Sequence, residues 1–352
     1  MAKKTSLVGV LMVLLSAIPG IAETNWELQS VDENGVPNYY KVGADPVPEN
    51  LVVIEGICLN NPEDMLDPAK MWQIFVQGEG DDLGGTAAWA GKWYQSDIWE
   101  DELARLNSSG FREGDRVRIT GYAMAVGGKA NINERHSADP SMNFTVELLE
   151  QGVGLPEPEL VTIPEMNTFD PTRLTGGERY QCRRIRINYV HVSSGTWGKN
   201  QYVTIADAEG NTLPMKLCNV DFGPQPTGDF VVIGLGNQEP EFGPNGPIPG
   251  TGLTDGYQIW VTRPDGIIYP GDANCDGDVD VADLGILAGN YNNDDMTWDD
   301  GDFDGDGDVD IADLGILASN YGYTAGGGGT VPEPISLTLM ITGVGIVLIR
   351  KR

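Results

Sequence analysis

The feature that most constrains this chain is an acidic pattern written twice near its C-terminus. Asp272–Asp283 reads DANCDGDVDVAD and Asp302–Asp313 reads DFDGDGDVDIAD, offset by 30 residues. The stretches beginning at Asp278 and at Asp308 (DVDVADLGILAGNY and DVDIADLGILASNY) agree at 12 of 14 positions, which marks an internal duplication. Between Pro270 and Tyr323 there are fifteen Asp and no Lys, Arg, Glu or His. So much like charge in a short segment opposes compaction unless counter-ions neutralise it. A fold here calls for bound cations, whereas a solvated acidic tail would need neither the placed glycines nor the apolar stretch after each loop.

The spacing has a coordination reason. Oxygen ligands at loop positions 1, 3, 5, 9 and 12, a backbone carbonyl at 7 and a glycine at 6 wrap a chain around Ca²⁺. Position 1 is Asp272 in the first loop and Asp302 in the second, position 3 is Asn274 and Asp304, and position 5 is Asp276 and Asp306. Gly277 and Gly307 occupy position 6, where a positive φ is needed. The carbonyl at position 7 comes from Asp278 and Asp308, position 9 is Asp280 and Asp310, and position 12 is Asp283 and Asp313. Carboxylate and carbonyl donors with no His favour Ca²⁺ over a transition metal, so the expectation is two Ca²⁺ ions.

After each loop, apolar residues recur at helical spacing: Val281, Leu284, Ala288 and Tyr291, then Ile311, Leu314, Ala318 and Tyr321. Pro270-Gly271 directly before Asp272 leaves no entering helix. Two loop-plus-exit-helix units (paired F-hand calcium loops, half an EF-hand each) resemble a type I dockerin. The resemblance covers residues 270–323 and implies Ca²⁺ binding and docking onto a cohesin-like protein, in the manner of polysaccharide-degrading assemblies. It departs from cellulosomal dockerins at loop positions 10 and 11. Val281-Ala282 and Ile311-Ala312 stand there in place of a polar pair, and the helices carry no Lys or Arg.

Both ends read as processing signals. Residues 1–22 order Lys3 and Lys4, an apolar run from Leu7 to Ile18 and the small residues Gly20-Ile21-Ala22, as a secretory signal peptide does. Residues 324–330 are a Gly-rich linker. Residues 331–352 open with Val331-Pro332-Glu333-Pro334, continue through fifteen uncharged residues from Ile335 to Ile349 and end in Arg350-Lys351-Arg352. That order resembles the PEP-CTERM sorting signal, which implies an exosortase-type machinery and transient membrane insertion of a transmembrane segment at 335–349. The basic triplet would stay cytoplasmic and the body outside; a permanent single-span anchor is the alternative. The expected location is extracellular or at the cell surface.

The body between these signals reads as mainly β, because Gly and Pro are abundant (47 and 22) and turn signals separate short apolar runs. Strands are expected at 51–59, 71–76, 84–94, 114–126, 129–132 and 144–149, with a helix over 96–106 and a hairpin turn at Gly127-Gly128. Three strands, a helix and two strands is the order of an OB-like barrel. After a proline-rich linker, a second series follows at 180–192, 201–205, 212–217, 229–235 and 257–262. In it Arg184, Arg186 and Asn188 alternate with Ile185, Ile187 and Tyr189, giving one wet and one buried face. The expected fold is two tandem OB-like β-barrels (23–151 and 161–269, linked by 152–160) followed by the small α-helical dockerin (270–323).

Residues 23–269 carry 17 basic against 36 acidic side chains, which argues against binding nucleic acid through phosphates. Trp89, Trp93, Tyr94 and Trp99 are close enough in sequence to form a stacking platform for a polysaccharide, or to be ordinary core aromatics. His136 and His191 stand in unrelated contexts, and neither a GxSxG elbow nor an HExxH motif occurs, so no catalytic constellation emerges. Of Cys58, Cys182, Cys218 and Cys275, the pair Cys182–Cys218 is the expected disulfide in an exported chain, and Cys275 reads as free. The expected function is a surface-sorted calcium-binding protein whose barrels bind carbohydrate or protein. The alternative is an O-glycosyl hydrolase or an accessory component of extracellular polysaccharide catabolism.

Overall fold

A computed structural model of the chain describes residues 24–39, 51–92, 98–134, 143–243, 246–248 and 250–324. The expected signal peptide and the sorting signal with its 335–349 segment lie outside the described residues, as do Trp93, Tyr94 and His136. Among the described residues no helix is long and apolar enough to cross a membrane.

The first barrel follows from alternation. In β1 (Leu51–Cys58) Val52 and Ile54 turn inward while Val53 and Glu55 face out. β2 (Met71–Gln77), β3 (Gly85–Gly91), helix α1 (Trp99–Leu106), β4 (Arg116–Val126) and β5 (Lys129–Glu134) follow. The strands close in the order β1-β2-β3-β5-β4-β1. All neighbours are antiparallel except β3 and β5, where Ala87 lies opposite Asn131 in a parallel pair. Gly127, at φ +61, makes the tight turn between β4 and β5. Helix α1 buries Trp99 and Leu106 against the barrel core and keeps Glu100 and Asp101 in water, while the buried Glu102 pairs with Arg105. A further strand, β6 (Thr145–Glu150), pairs along β4.

The second barrel repeats the path. Strands β8 (Arg184–Gly195), β9 (Gln201–Ala206), β10 (Thr212–Leu217), β11 (Phe230–Gln238) and β12 (Tyr257–Val261) close as β8-β9-β10-β12-β11-β8. Its third and fifth strands, β10 and β12, are again the parallel pair, with Met215 opposite Ile259. The fold is thus mainly β, with two closed five-stranded barrels. The expected linker contributes a two-residue strand, β7 (Glu159–Leu160), parallel to β8. β8 begins at Arg184 and not Tyr180, because Gly176–Arg179 is a helical turn and Cys182 takes a positive φ of 56°.

The barrels pack directly on each other. Phe75 and Ala87, which point out of the first barrel, share a core with Cys182, Cys218, Leu235 and Trp260 of the second. Phe75 stacks on Trp260 with centroids 6.0 Å apart. Backbones approach so closely that a Cβ on Gly85 would lie 2.1 Å from the Cys182 carbonyl oxygen. Lys129, 1% exposed, reaches across to Asn237 Oδ1 (2.5 Å) and Glu239 Oε1 (2.8 Å). This two-sided burial explains why MWQIFVQ and GTAAWAG lack the polar alternation of a half-wet strand.

The duplicated acidic segment forms two ten-residue helices, α2 (Val281–Asn290) and α3 (Ile311–Asn320). Its core is continuous with the second barrel: Leu287, Trp298, Phe303 and Leu317 belong to one cluster with Ile187, Val190 and Phe230. Tyr269, at the end of the barrel, stacks on Tyr323 at 3.5 Å between centroids. The helical periodicity put Val281 and Ile311 on the inward stripe, but they are 67% and 65% exposed. The inward positions are Asp283 and Leu287, and Asp313, Leu314, Leu317 and Ala318. Val281 and Ile311 are each the first residue of a helix, before the helix has turned toward the core.

Candidate metal centre

Each acidic loop folds back on the start of its own helix. Asp280 caps α2 by accepting from the Ala282 N–H (2.7 Å), and Asp310 caps α3 through the Ala312 N–H (2.6 Å). In return Asp283 accepts from Asp280 N–H (2.8 Å) and Asp313 from Asp310 N–H (2.8 Å), completing two capping boxes. Loop positions 9 and 12 are therefore held by helix-start hydrogen bonds. Asp283 also accepts from Ala273 N–H, and Asp313 from Phe303 N–H, which ties position 12 to position 2.

Position 1 is held in the same way. Asp272 takes N–H groups from Asp276 (3.2 Å) and Gly277 (3.0 Å), and Asp302 takes them from Gly305 (2.8 Å) and Gly307 (3.2 Å). Gly277 and Gly307 have φ of +90° and +92°, as the turn at position 6 requires. The loops interlock as well. Val279 bonds Gly322 and Tyr323 beyond α3, and Val309 bonds Asn292 and Asn293 beyond α2. Trp298, fully buried between them, donates its indole N–H to the Asp272 carbonyl (2.8 Å).

The electrostatics are lopsided. Asp272, Asp283, Asp302 and Asp313 are 1%, 0%, 2% and 1% exposed, inside a segment that holds no basic residue. Burial, then the neighbouring Asp283 and Asp276 charges, pushes the Asp272 carboxyl up to about 7. Burial, with the Asp313 charge next, pushes Asp304 up to about 6 and raises Asp302 as well. Asp283 is raised by burial too. Ionising buried carboxylates is costly unless hydrogen bonds or a cation compensate the charge.

Donor geometry suits a hard ion. Carboxylate oxygens of Asp302, Asp304 and Asp306 all lie within 4.8 Å of one another, and so do those of Asp308, Asp310 and Asp313. Oxygens 2.3–2.6 Å from a shared Ca²⁺ are separated by up to about 5 Å. Asp308 Oδ1 is buried without a hydrogen-bond partner. In the first loop Asn274 Nδ2 donates to Asp276 Oδ2 (2.8 Å), holding positions 3 and 5 together. The carboxylates of the second loop therefore come as close together as Ca²⁺ ligands would, in two groups of three, whereas among the described residues Asp272, Asp276, Asp278, Asp280 and Asp283 of the first loop form no such group.

No protein-family model matches the sequence, and no curated protein matches it either. Among solved structures, one described as "Molecular basis for abrogation of activation of pro-inflammatory cytokines" aligns with 59% of this chain and 87% of its own. The identity is 12% and the TM-score 0.24, too low to carry an argument about fold or function.

Other sequence-based candidates disperse. Trp99 is 3% exposed in the first barrel's core and donates to the Pro68 carbonyl, while Trp89 packs into the core between the barrels. Trp99 offers no face to a sugar, and Trp89 is half-buried against the core between the barrels. Cys182 and Cys218 are free thiols, not a disulfide; Cys218 Sγ lies 3.7 Å from Met65 Sδ, and burial pushes both thiols up to about 12. His191 Nδ1 sits 3.2 Å from Asp229 Oδ1 at the edge of a groove of about 440 Å³. Ile163, Ile187 and Tyr189 line that groove with Asp229 and Asp304. Tyr189 was the residue sequence reasoning misplaced: the alternation buried it in the barrel, but a bulge turns it toward the second acidic loop.

Proposed function

We propose that residues 270–323 bind two Ca²⁺ ions, one per loop, and present helices α2 and α3 to a cohesin-like partner, as a dockerin does. Four aspartates under 3% exposed with no basic residue in the segment carry this reading. Ca²⁺ supplies the positive charge that lets these carboxylates stay ionised and buried at neutral pH. The duplicated exposed face then has no charge of its own: Val281, Ala282, Gly285 and Gly289 on α2 answer Ile311, Ala312, Gly315 and Ser319 on α3. A Cβ on Gly285, Gly289 or Gly315 would meet nothing within 4 Å, so a partner backbone can approach closely.

In this reading the protein is exported, sorted to the cell surface through its C-terminal signal, and assembled there through its calcium module. The two barrels are the rigid body that is displayed, and the groove beside Tyr189 is its candidate recognition surface for carbohydrate or protein. Capture of immobilised cohesin modules by the full chain, with and without chelator, tests the docking claim. Binding that requires Ca²⁺ and is lost in a Val281→Asp/Ile311→Asp double variant supports it. Capture that chelator does not affect contradicts it.

A further inference from the structure

We infer that Tyr189, a barrel residue remote in sequence, is a positioning residue for the calcium site of the second loop, so that this loop and the second barrel form one binding unit. The inference rests on the calcium reading above and deepens it by assigning the two loops unequal roles.

Strand β8 pairs Val190 with Phe230 and Ile187 with Val232, so three steps on β8 face two on β11. The extra residue bulges, and Tyr189 takes a φ of +53°, a conformation that a bulky side chain adopts only when its surroundings hold it there. The bulge re-aims the ring out of the barrel. Its hydroxyl lies 3.2 Å from the Asp302 carbonyl oxygen and 3.3 Å from Asp302 Oδ2, and so donates into position 1 of the second loop. The ring meets Trp298 edge-on at 5.7 Å, and Trp298 in turn meets Phe303 at 5.4 Å. Three residues earlier on the same strand, Arg186 holds Asp299 through two nitrogens at 2.8 and 3.2 Å.

The two repeats differ where the barrel touches. Position 4 takes a left-handed conformation in both loops, φ +56° at Cys275 and +78° at Gly305. The first loop tolerates a side chain there. In the second, a Cβ on Gly305 would lie 3.0–3.3 Å from three atoms of the Tyr189 ring. Glycine at position 4 of the second loop, where the first loop has Cys275, leaves room for the ring above it. Position 3 differs as well, Asn274 against Asp304, giving the second loop one more carboxylate. Position 1 of the first loop, Asp272, accepts from backbone N–H groups, whereas Asp302 adds the phenol to its backbone donors. More ligand charge and an externally held first ligand both favour tighter binding in the second loop.

Calorimetric Ca²⁺ titration of the full chain tests this, with each loop isolated by disabling the other. In an Asp276→Ala protein the remaining site is the second loop, and adding Tyr189→Phe should weaken it about fivefold, the effect of one hydrogen bond. In an Asp306→Ala protein the remaining site is the first loop, and Tyr189→Phe should leave it unchanged. Gly305→Ala, which drives a methyl against the ring, should weaken the second loop in the same way. Unchanged second-loop affinity in Tyr189→Phe overturns the inference while leaving the calcium reading intact, and so does an equal loss at both loops, which would report general loosening. Absence of any Ca²⁺ binding by the unmodified chain overturns the calcium reading and this inference with it.

Discussion

In the proposed calcium reading Asp280 and Asp310 serve two ends at once, capping a helix and standing at position 9 of a loop. Removing them should therefore differ from removing a residue that only faces the ion. Asp280→Ala should weaken the first site and also cost about 1 kcal/mol of helix stability at saturating Ca²⁺. Asp276→Ala should weaken the same site and, once the site is filled, leave that helix stability as it was. Urea unfolding followed by circular dichroism at saturating Ca²⁺ separates the two. A different carboxylate gives the chain a pH response independent of calcium. Glu178, 2% exposed beneath Tyr257, is pushed up to about 7 by burial, against the hydrogen bonds from Tyr257 and Gln238 that lower it. Because its folded value lies above its ordinary value near 4.5, its contribution is full below that pH and is lost as pH rises toward 7 and beyond. Glu178→Gln should therefore match the parent near pH 4.5 and exceed it by about 1–3 kcal/mol at pH 8, as urea unfolding at the two pH values would show. A gain that is the same at both pH values would contradict this assignment.

At the scale of elements, the duplicated loop-and-helix units were the most legible part of the sequence. Their signal is local: glycine at position 6, acids at alternate positions and an apolar helix behind. The barrels were legible because strand alternation and turn residues are local too, and both series of five strands close along the same path. What failed depended on contacts between elements. Ten residues of helix do not fix which of two neighbouring stripes faces inward: Val281 and Ile311 head the apolar series yet are exposed, whereas Leu287 and Leu317 are buried. The tryptophans of β3 and α1 sit close in sequence, yet one faces the second barrel and the other the first barrel's own core. Nothing in RIRINYV announces a bulge at Tyr189. The same tertiary closeness makes a prediction at Gly85, where β3 touches the Cys182 backbone. Gly85→Val should destabilise the chain by about 2 kcal/mol or more by forcing the barrels apart, whereas Gly210→Ala, whose Cβ would meet nothing within 4 Å, tests only the strain of its φ of +85° and should cost about 1 kcal/mol. Thermal melts of the two variants decide it.

For the whole molecule, the continuity of the acidic segment with the second barrel matters most. Trp298, Phe303 and Leu317 share a core with barrel residues, and Arg186 and Tyr189 bind the segment from the barrel side. The acidic segment is thus a third layer of one packed body. Chelation should lower the melting temperature of the second barrel as well as unfold the helices, by the linkage between ligand binding and stability. A net charge of −30 makes that response steep, since every bound ion relieves repulsion across the chain. The most direct test of the central claim is a calorimetric Ca²⁺ titration of the full, chelator-stripped chain at neutral pH. The account predicts two ions per chain, with helix content rising as they bind. No binding, or equal helix content with and without chelator, would contradict it.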